Sequence, residues 1–325
     1  MYDNGNSAVV GEVALDWGIC EADGTRKALE VTYTTSAADM WYQKGLMMWE
    51  KNNYGQAIKY ILEAKKAYDG VVVTGSDKNG LINILLDLSY YYIKAKQYQS
   101  ALIMANKVLR LWVDYRPQSK SIALNNKGAA LDSLGKITTG KGYYENALDL
   151  DYSFDTANSN LDYTNELIEA VARMNQYQMT AITDVDHFSP YDNIKKQHAT
   201  KYLFDLATKI FKKTVDEKII CKFSDLNKAD TNTKSVIIHA CQLGLTAETK
   251  WRFAPNANMT NEEFVTELGK IIYGTQKEYY SKAQEEWLLE NLDADDYLKK
   301  DDFINRWDAA VLLYRAYLTS SNYMD

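Results

Sequence analysis

An all-α fold follows from three features of the chain. Proline is scarce, with 3 in 325 residues beside 16 glycines, which permits long helices and disfavours a β-sandwich. Apolar residues recur at helical spacing, as in Val236, Ile237, Ala240 and Leu243. Helix punctuation stands where such runs begin and end. Gly244 suits a helix C-terminus, and Thr260 with Glu263 reads as a capping box, in which the Thr oxygen accepts a free backbone N–H and the Glu reaches back to the Thr N–H. Hydrophobic residues make up 46% of the chain, ample for two packed units.

Residues 1–37 receive no assignment. Val9, Val10, Val13, Ala14 and Trp17 make an amphipathic turn or two, and Val31-Thr32-Tyr33-Thr34-Thr35 is polar and β-branched. Met1-Tyr2-Asp3-Asn4-Gly5 lacks the charged and apolar regions of an export leader. A surface location would therefore need a leader not present in this chain, and without one the protein would be cytoplasmic.

Residues 38–175 carry a helical-hairpin pattern. Trp41-x3-Gly45 is followed by Tyr54, Ala57 and Ala64, and Leu85-x3-Ser89 by Tyr92, Tyr98 and Ala101. Leu124-x3-Gly128 is followed by Leu131, Gly135, Tyr144, Ala147 and Leu150-Asp151. A further first helix continues in phase through Ala157, Leu161, Tyr163, Leu167 and Ile168. Small residues let two helices approach, and aromatic rings fill the gaps between them. Each unit resembles a tetratricopeptide (TPR) repeat. The units start near residues 38, 82 and 121, so two linkers are longer than standard. The 25 tyrosines suit such packing, with the ring buried and the hydroxyl wet. The resemblance implies a short superhelix whose concave face binds a peptide or another protein.

Clean periodicity is lost between Ala172 and Tyr191, and residues 176–190 read as a linker containing Asp184-Val185-Asp186-His187-Phe188-Ser189-Pro190. Residues 191–325 then form a second domain. Its clearest stretch holds Phe223-x-Asp225, then Ala240-Cys241-x-Leu243-Gly244, Phe253-Ala254-Pro255-Asn256 and Met259-Thr260-Asn261-Glu262-Glu263-Phe264. Met259 and Phe264 sit where a hydrophobic staple would clamp the helix start. Ile304-Asn305-Arg306-Trp307-Asp308-Ala309-Ala310 repeats the helix opening, with Asn305 as cap and Asp308 three residues on. Ile194-Lys195-Lys196-Gln197-His198-Ala199 is a weaker echo, leading into Tyr202, Leu203, Leu206 and Ala207. In order and spacing these segments resemble the S-layer homology (SLH) module over about residues 188–320. Three modules around a pseudo-threefold axis are implied, opening near residues 194, 259 and 304.

The SLH resemblance implies an anchor to cell-wall polysaccharide. In that family a basic residue at the helix opening faces a groove between modules and meets anionic glycan, a role that suits a guanidinium or ammonium. The aligned residues here are Lys196, Asn261 and Arg306, so at most two grooves keep that chemistry. Arg306 is the first choice, because its charge and the free N–H groups of the helix's first turn would face the same anion. Thr260, Glu263, Asn305 and Asp308 are capping residues. Arg315 stands where the family often ends this helix with a basic residue.

Cys221 and Cys241 lie 20 residues apart, loop to helix, which suits either a disulfide or two buried free thiols, with Cys20 left over. The net charge of −7 and the lack of a basic tract argue against nucleic acid and against an anionic membrane. No apolar run approaches a membrane span. His187, His198 and His239 show no metal-ligand spacing, and no phosphate loop, serine elbow or cysteine motif occurs. Asp293-Ala294-Asp295-Asp296 lacks the Gly and terminal Glu of a calcium loop and reads as a solvated acidic loop. Neither enzyme activity nor a cofactor is expected. The alternative to a surface anchor is an intracellular TPR adaptor whose C-terminal helices only cap the solenoid.

Overall fold

The computed structural model describes residues 19–20, 26–27, 30–69, 75–111, 116–246, 252–274 and 302–322. The fold is all-α. Eleven α-helices stand among the described residues: α1 (Glu30–Glu50), α2 (Tyr54–Lys66), α3 (Gly75–Lys94), α4 (Tyr98–Arg110), α5 (Pro117–Ser133), α6 (Ile137–Leu150), α7 (Asp155–Gln176), α8 (Lys196–Asp205), α9 (Lys234–Gln242), α10 (Asn261–Tyr273) and α11 (Arg306–Asn322). A π-helical turn, Leu206–Ile210, continues α8. Two two-residue strands, Ile19–Cys20 and Arg26–Lys27, pair antiparallel. The apolar residues Val9 to Trp17 and the acidic run Asp293–Asp296 lie outside the described residues.

The chain divides into two compact units, Met1–Leu134 with Gly142–Asn158, and Gly135–Lys141 with Ser159–Asp325. In the first unit, hairpins form because three-residue turns reverse the chain. After α1, Asn52 takes the left-handed conformation (φ 56°), and Asn53 N–H reaches back to Met48 O at 2.9 Å. The same turn follows α3, with Lys96 at φ 58° and Gln97 N–H donating to Tyr92 O at 2.8 Å. These are Schellman closures, which satisfy the last carbonyls of a helix. After α5 the chain passes into the second unit, and the left-handed position falls to Gly135, at φ 77°.

Small residues let the helices of a hairpin touch. A Cβ added to Gly45 on α1 would lie 2.3 Å from Ile61 Cδ1 and 3.3 Å from Ala57 O on α2. Ala57, Ile61 and Ala64 are fully buried, and Trp41 stacks on Tyr60 with centroids 5.6 Å apart. Between α3 and α5, buried Asn126 donates to Ser89 Oγ at 2.7 Å. Between α5 and α6, Ser121 Oγ donates to Ala147 O at 3.0 Å.

Two expectations change, and one unassigned segment gains a structure. The β-branched run Val31–Thr35 belongs to α1. Its helix-propensity cost is only tenths of a kcal/mol per residue, small enough for the long helix that follows to override. Leu167, Ala170, Val171 and Met174 of α7 belong to the core of the second unit, not to the hairpins. A 3.6-residue period shows that a face is buried but not against which partner. The segment read as a linker is packed: Met179, Val185 and Phe188 are buried in that same core. Thr138 N–H donates to Asp186 Oδ1 at 2.9 Å, and Lys201 Nζ to Met179 O at 3.0 Å.

Candidate functional site

Three helix openings of the second unit are tied together by backbone. Ile194, Met259 and Ile304 stand two residues before α8, α10 and α11, and all three are buried. Met259 N–H donates to Ile194 O, Ile194 N–H to Ile304 O and Ile304 N–H to Met259 O, each at 3.0 Å, closing a cycle. Two residues on, Lys196 N–H donates to Ala257 O (2.8 Å), Asn261 N–H to Asp302 O (2.9 Å) and Arg306 N–H to Asp192 O (2.9 Å). A third set begins with Trp307 N–H to Pro190 O at 2.8 Å and Gln197 N–H to Pro255 O at 3.3 Å. Equivalent positions bond cyclically, so the openings are related by a pseudo-threefold relation and make three junctions.

The supplying loops also match. Phe188-Ser189-Pro190 and Phe253-Ala254-Pro255 each hold the middle residue left-handed, at φ 51° and 57°. Such a conformation costs an L-residue roughly 1–2 kcal/mol. The second loop is clamped by Asp225, whose carboxylate accepts from Phe253 N–H and Ala254 N–H, both at 2.9 Å. The first loop was legible as the same motif, since Phe188 and Pro190 precede Ile194 by the spacing at which Phe253 and Pro255 precede Met259. Its place in an apparent linker hid it.

These rings correct one expectation. The first-turn N–H groups of α11 are not free for an anion. Arg306 N–H and Trp307 N–H are spent on the ring, and Asp308 N–H donates to the Asn305 cap at 2.8 Å. A ligand at a junction must therefore be held by side chains.

The side chains make the junctions unequal. At the first, Lys196 Nζ is ion-paired with Glu263 Oε1. Glu263 also serves the capping box: its Oε2 accepts from Thr260 N–H at 3.0 Å, while Thr260 Oγ1 accepts from Glu263 N–H at 3.2 Å. Two residues past the ring position of its module, Asn261 is uncharged and 5% exposed. It faces the module of Asp308, whose carboxylate accepts from Asn305 Nδ2 (2.7 Å) and Tyr163 OH (3.1 Å). Burial raises the Asp308 carboxyl against the opposing pull of those bonds. Nearby, Arg315 forms a two-pronged pair with Glu166 at 2.6 and 2.7 Å.

At the third junction stands Arg306, its guanidinium 4.5 Å from the centre of the buried Phe188 ring. The residue at the position of Glu263 and Asp308 is here His198, whose Nε2 lies 3.0 Å from Asp230 Oδ2. Buried Gln197 places Asp230 there by accepting from its N–H at 2.8 Å. Among the described residues, Arg306 has no carboxylate partner. Beside it Trp307 stacks on Tyr163 (4.7 Å) and meets Tyr191 (5.4 Å), and Tyr191 is 44% exposed. The Arg306 guanidinium, so placed over Phe188, is attracted by the negative face of that ring.

Cys221 and Cys241 are joined in a disulfide with Cα atoms 6.2 Å apart. Among the described residues no group of three His, Cys, Asp or Glu could hold a metal ion, and no helix is long and apolar enough to cross a membrane. In comparisons with known proteins, no family model and no curated sequence matches the chain.

Proposed function

We propose that the second unit is an SLH-like anchor for an anionic envelope polysaccharide. The first unit is then a TPR-like scaffold for a peptide or another surface protein. The observation that carries the reading is the third junction, where Arg306, without a carboxylate partner among the described residues, lies over Phe188 in a chain of net charge −7. An acidic protein that repels most polyanions gains a local foothold for one of them there. A carboxylate on the sugar would take charge-assisted bonds from the guanidinium, stronger than neutral ones. The Cys221–Cys241 disulfide supports a surface location, because such bonds persist in oxidising compartments.

The full-length protein should sediment with cell walls of its source organism. Sedimentation should fall when the walls are stripped of secondary polysaccharide, or when their carboxylates are reduced to alcohols. Protein that stays in the supernatant with intact walls excludes the anchor.

A further inference from the structure

We propose that the second unit carries a separate binding site, for a small carboxylic acid bearing one aryl or branched aliphatic group, in a notch between α7, the π-helical turn after α8 and α11. The notch lies away from the three helix openings. Its α11 residues, Leu313, Tyr314 and Tyr317, stand from the middle of that helix onward. It opens to solvent and holds about 240 Å³ of empty space, its mouth included. The floor is Ala170, Met174, Met179, Leu206, Ile210 and Leu313, all buried. Water gains few hydrogen bonds over such a floor, which favours an apolar group in its place. The space is below that of a drug-sized ligand site, so it takes a single ring or branched chain end.

The wall is held before any ligand arrives. Met179 N–H donates to Met174 O at 2.8 Å, across Gln178 in the left-handed conformation (φ 54°). Lys209 Nζ donates to Gln178 O and Lys201 Nζ to Met179 O, both at 3.0 Å. Leu206 and Ile210 come from the π-helical turn, a rare conformation that recurs at functional sites. Within this frame the unbranched side chains of Met174 and Met179 can repack around a guest.

Polar groups converge on the mouth. The rings of Tyr177 and Tyr317 stand 5.6 Å apart, and Tyr314 stacks on Tyr317 at 6.3 Å. Arg173 holds its guanidinium 5.7 Å from the centre of the Tyr317 ring. Its Nη1 donates to Gln176 Oε1 at 2.8 Å, and among the described residues it has no carboxylate partner. Burial raises the Tyr314 hydroxyl, and the charges of Glu169 and Glu166 add to the rise. Glu166 is itself held by Arg315. The Tyr177 hydroxyl is raised by its hydrogen bond to Tyr317 and by burial, and the charge of Arg173 opposes that rise. The Tyr177 side is therefore the positive side of the mouth. A ring seated on the floor brings an attached carboxylate to Arg173, where charge-assisted bonds hold it.

The test is NMR of the full-length protein labelled at its methionine methyl groups, titrated with phenylacetate, phenylacetamide and phenethylamine. The chain has 9 methionines, and Met174→Leu and Met179→Leu identify the two reporting signals. Phenylacetate should shift those two signals saturably. Phenylacetamide should bind roughly tenfold more weakly, the loss expected for one bond to a charged group, and phenethylamine more weakly still. Arg173→Gln should bind phenylacetate and phenylacetamide alike, with both still moving the two methyls, and Arg173→Lys should keep the preference for the acid. Phenylacetate that moves neither methyl, or moves all the methionine signals alike, overturns the site. Equal binding of acid and amide by wild type, or an unchanged preference in Arg173→Gln, overturns the ligand class. The cell-wall anchor stands or falls separately, on sedimentation.

Discussion

Lys196 and Arg306 share a backbone setting and differ in their partners: a glutamate pairs with the first, and the second bonds through its backbone to the module of a histidine. Sequence spacing placed both at helix openings. It did not reveal their partners, since Lys196 and Glu263 are 67 residues apart. Local signals were readable where both partners lie within one turn, as in the Thr260–Glu263 capping box. Glu267 marks the same limit. Beside Lys270 it looks like a surface pair on a helix. Burial instead pushes its carboxyl up to about 7, against the attraction of Lys270. The folded protein therefore holds a proton that the unfolded chain releases at lower pH. Stability from this group is full below the unfolded value and is lost as pH rises through about 7. Glu267→Gln should match wild type in stability near pH 4.5 and exceed it by pH 8, by a margin on the order of 2–3 kcal/mol. Denaturant melts at the two pH values check this, and an equal margin at both would place the carboxyl in solvent.

Hairpin turns and seams decide the elements. Gly135 sits at φ 77° with open space around a would-be Cβ, so Gly135→Ala should cost backbone strain alone, roughly 1–2 kcal/mol. Gly45 tests the opposite case, since its Cβ would meet Ile61 and the Ala57 carbonyl. Gly45→Val should overpack the α1–α2 seam and cost about 1–3 kcal/mol. Melting temperatures separate the two variants, and an unchanged value for Gly45→Val would take that seam out of the core. The small residues of the hairpins were legible because close approach leaves few alternatives. The allegiance of α7 was not, because Leu167 and Met174 carry the same period whichever core they enter. The disulfide between the loop before α9 and α9 itself, 20 residues apart in sequence, should stabilise its unit by roughly 3 kcal/mol in the chain-entropy model. Reductant should lower the melting temperature accordingly, and free thiols at both positions in native protein would remove this contribution.

At the scale of the molecule, an all-α chain divides into a unit of stacked hairpins and a unit whose three helix openings close a backbone ring. Helical class was legible from composition and punctuation. The repeated opening near residues 194, 259 and 304 was legible from spacing, but the ring itself needed the three loops brought together. The ring consumes the helix N–H groups, which moves the burden of binding to side chains and singles out Arg306. Its guanidinium lies over Phe188, and among the described residues it has no carboxylate partner. The most direct measurement is co-sedimentation of full-length wild type and Arg306→Ala with intact cell walls, alongside their melting temperatures. Wild type should enter the pellet, and Arg306→Ala should stay largely in the supernatant with its melting temperature within a few degrees of wild type. Equal sedimentation of the two proteins would contradict the assignment of the third junction as the glycan site.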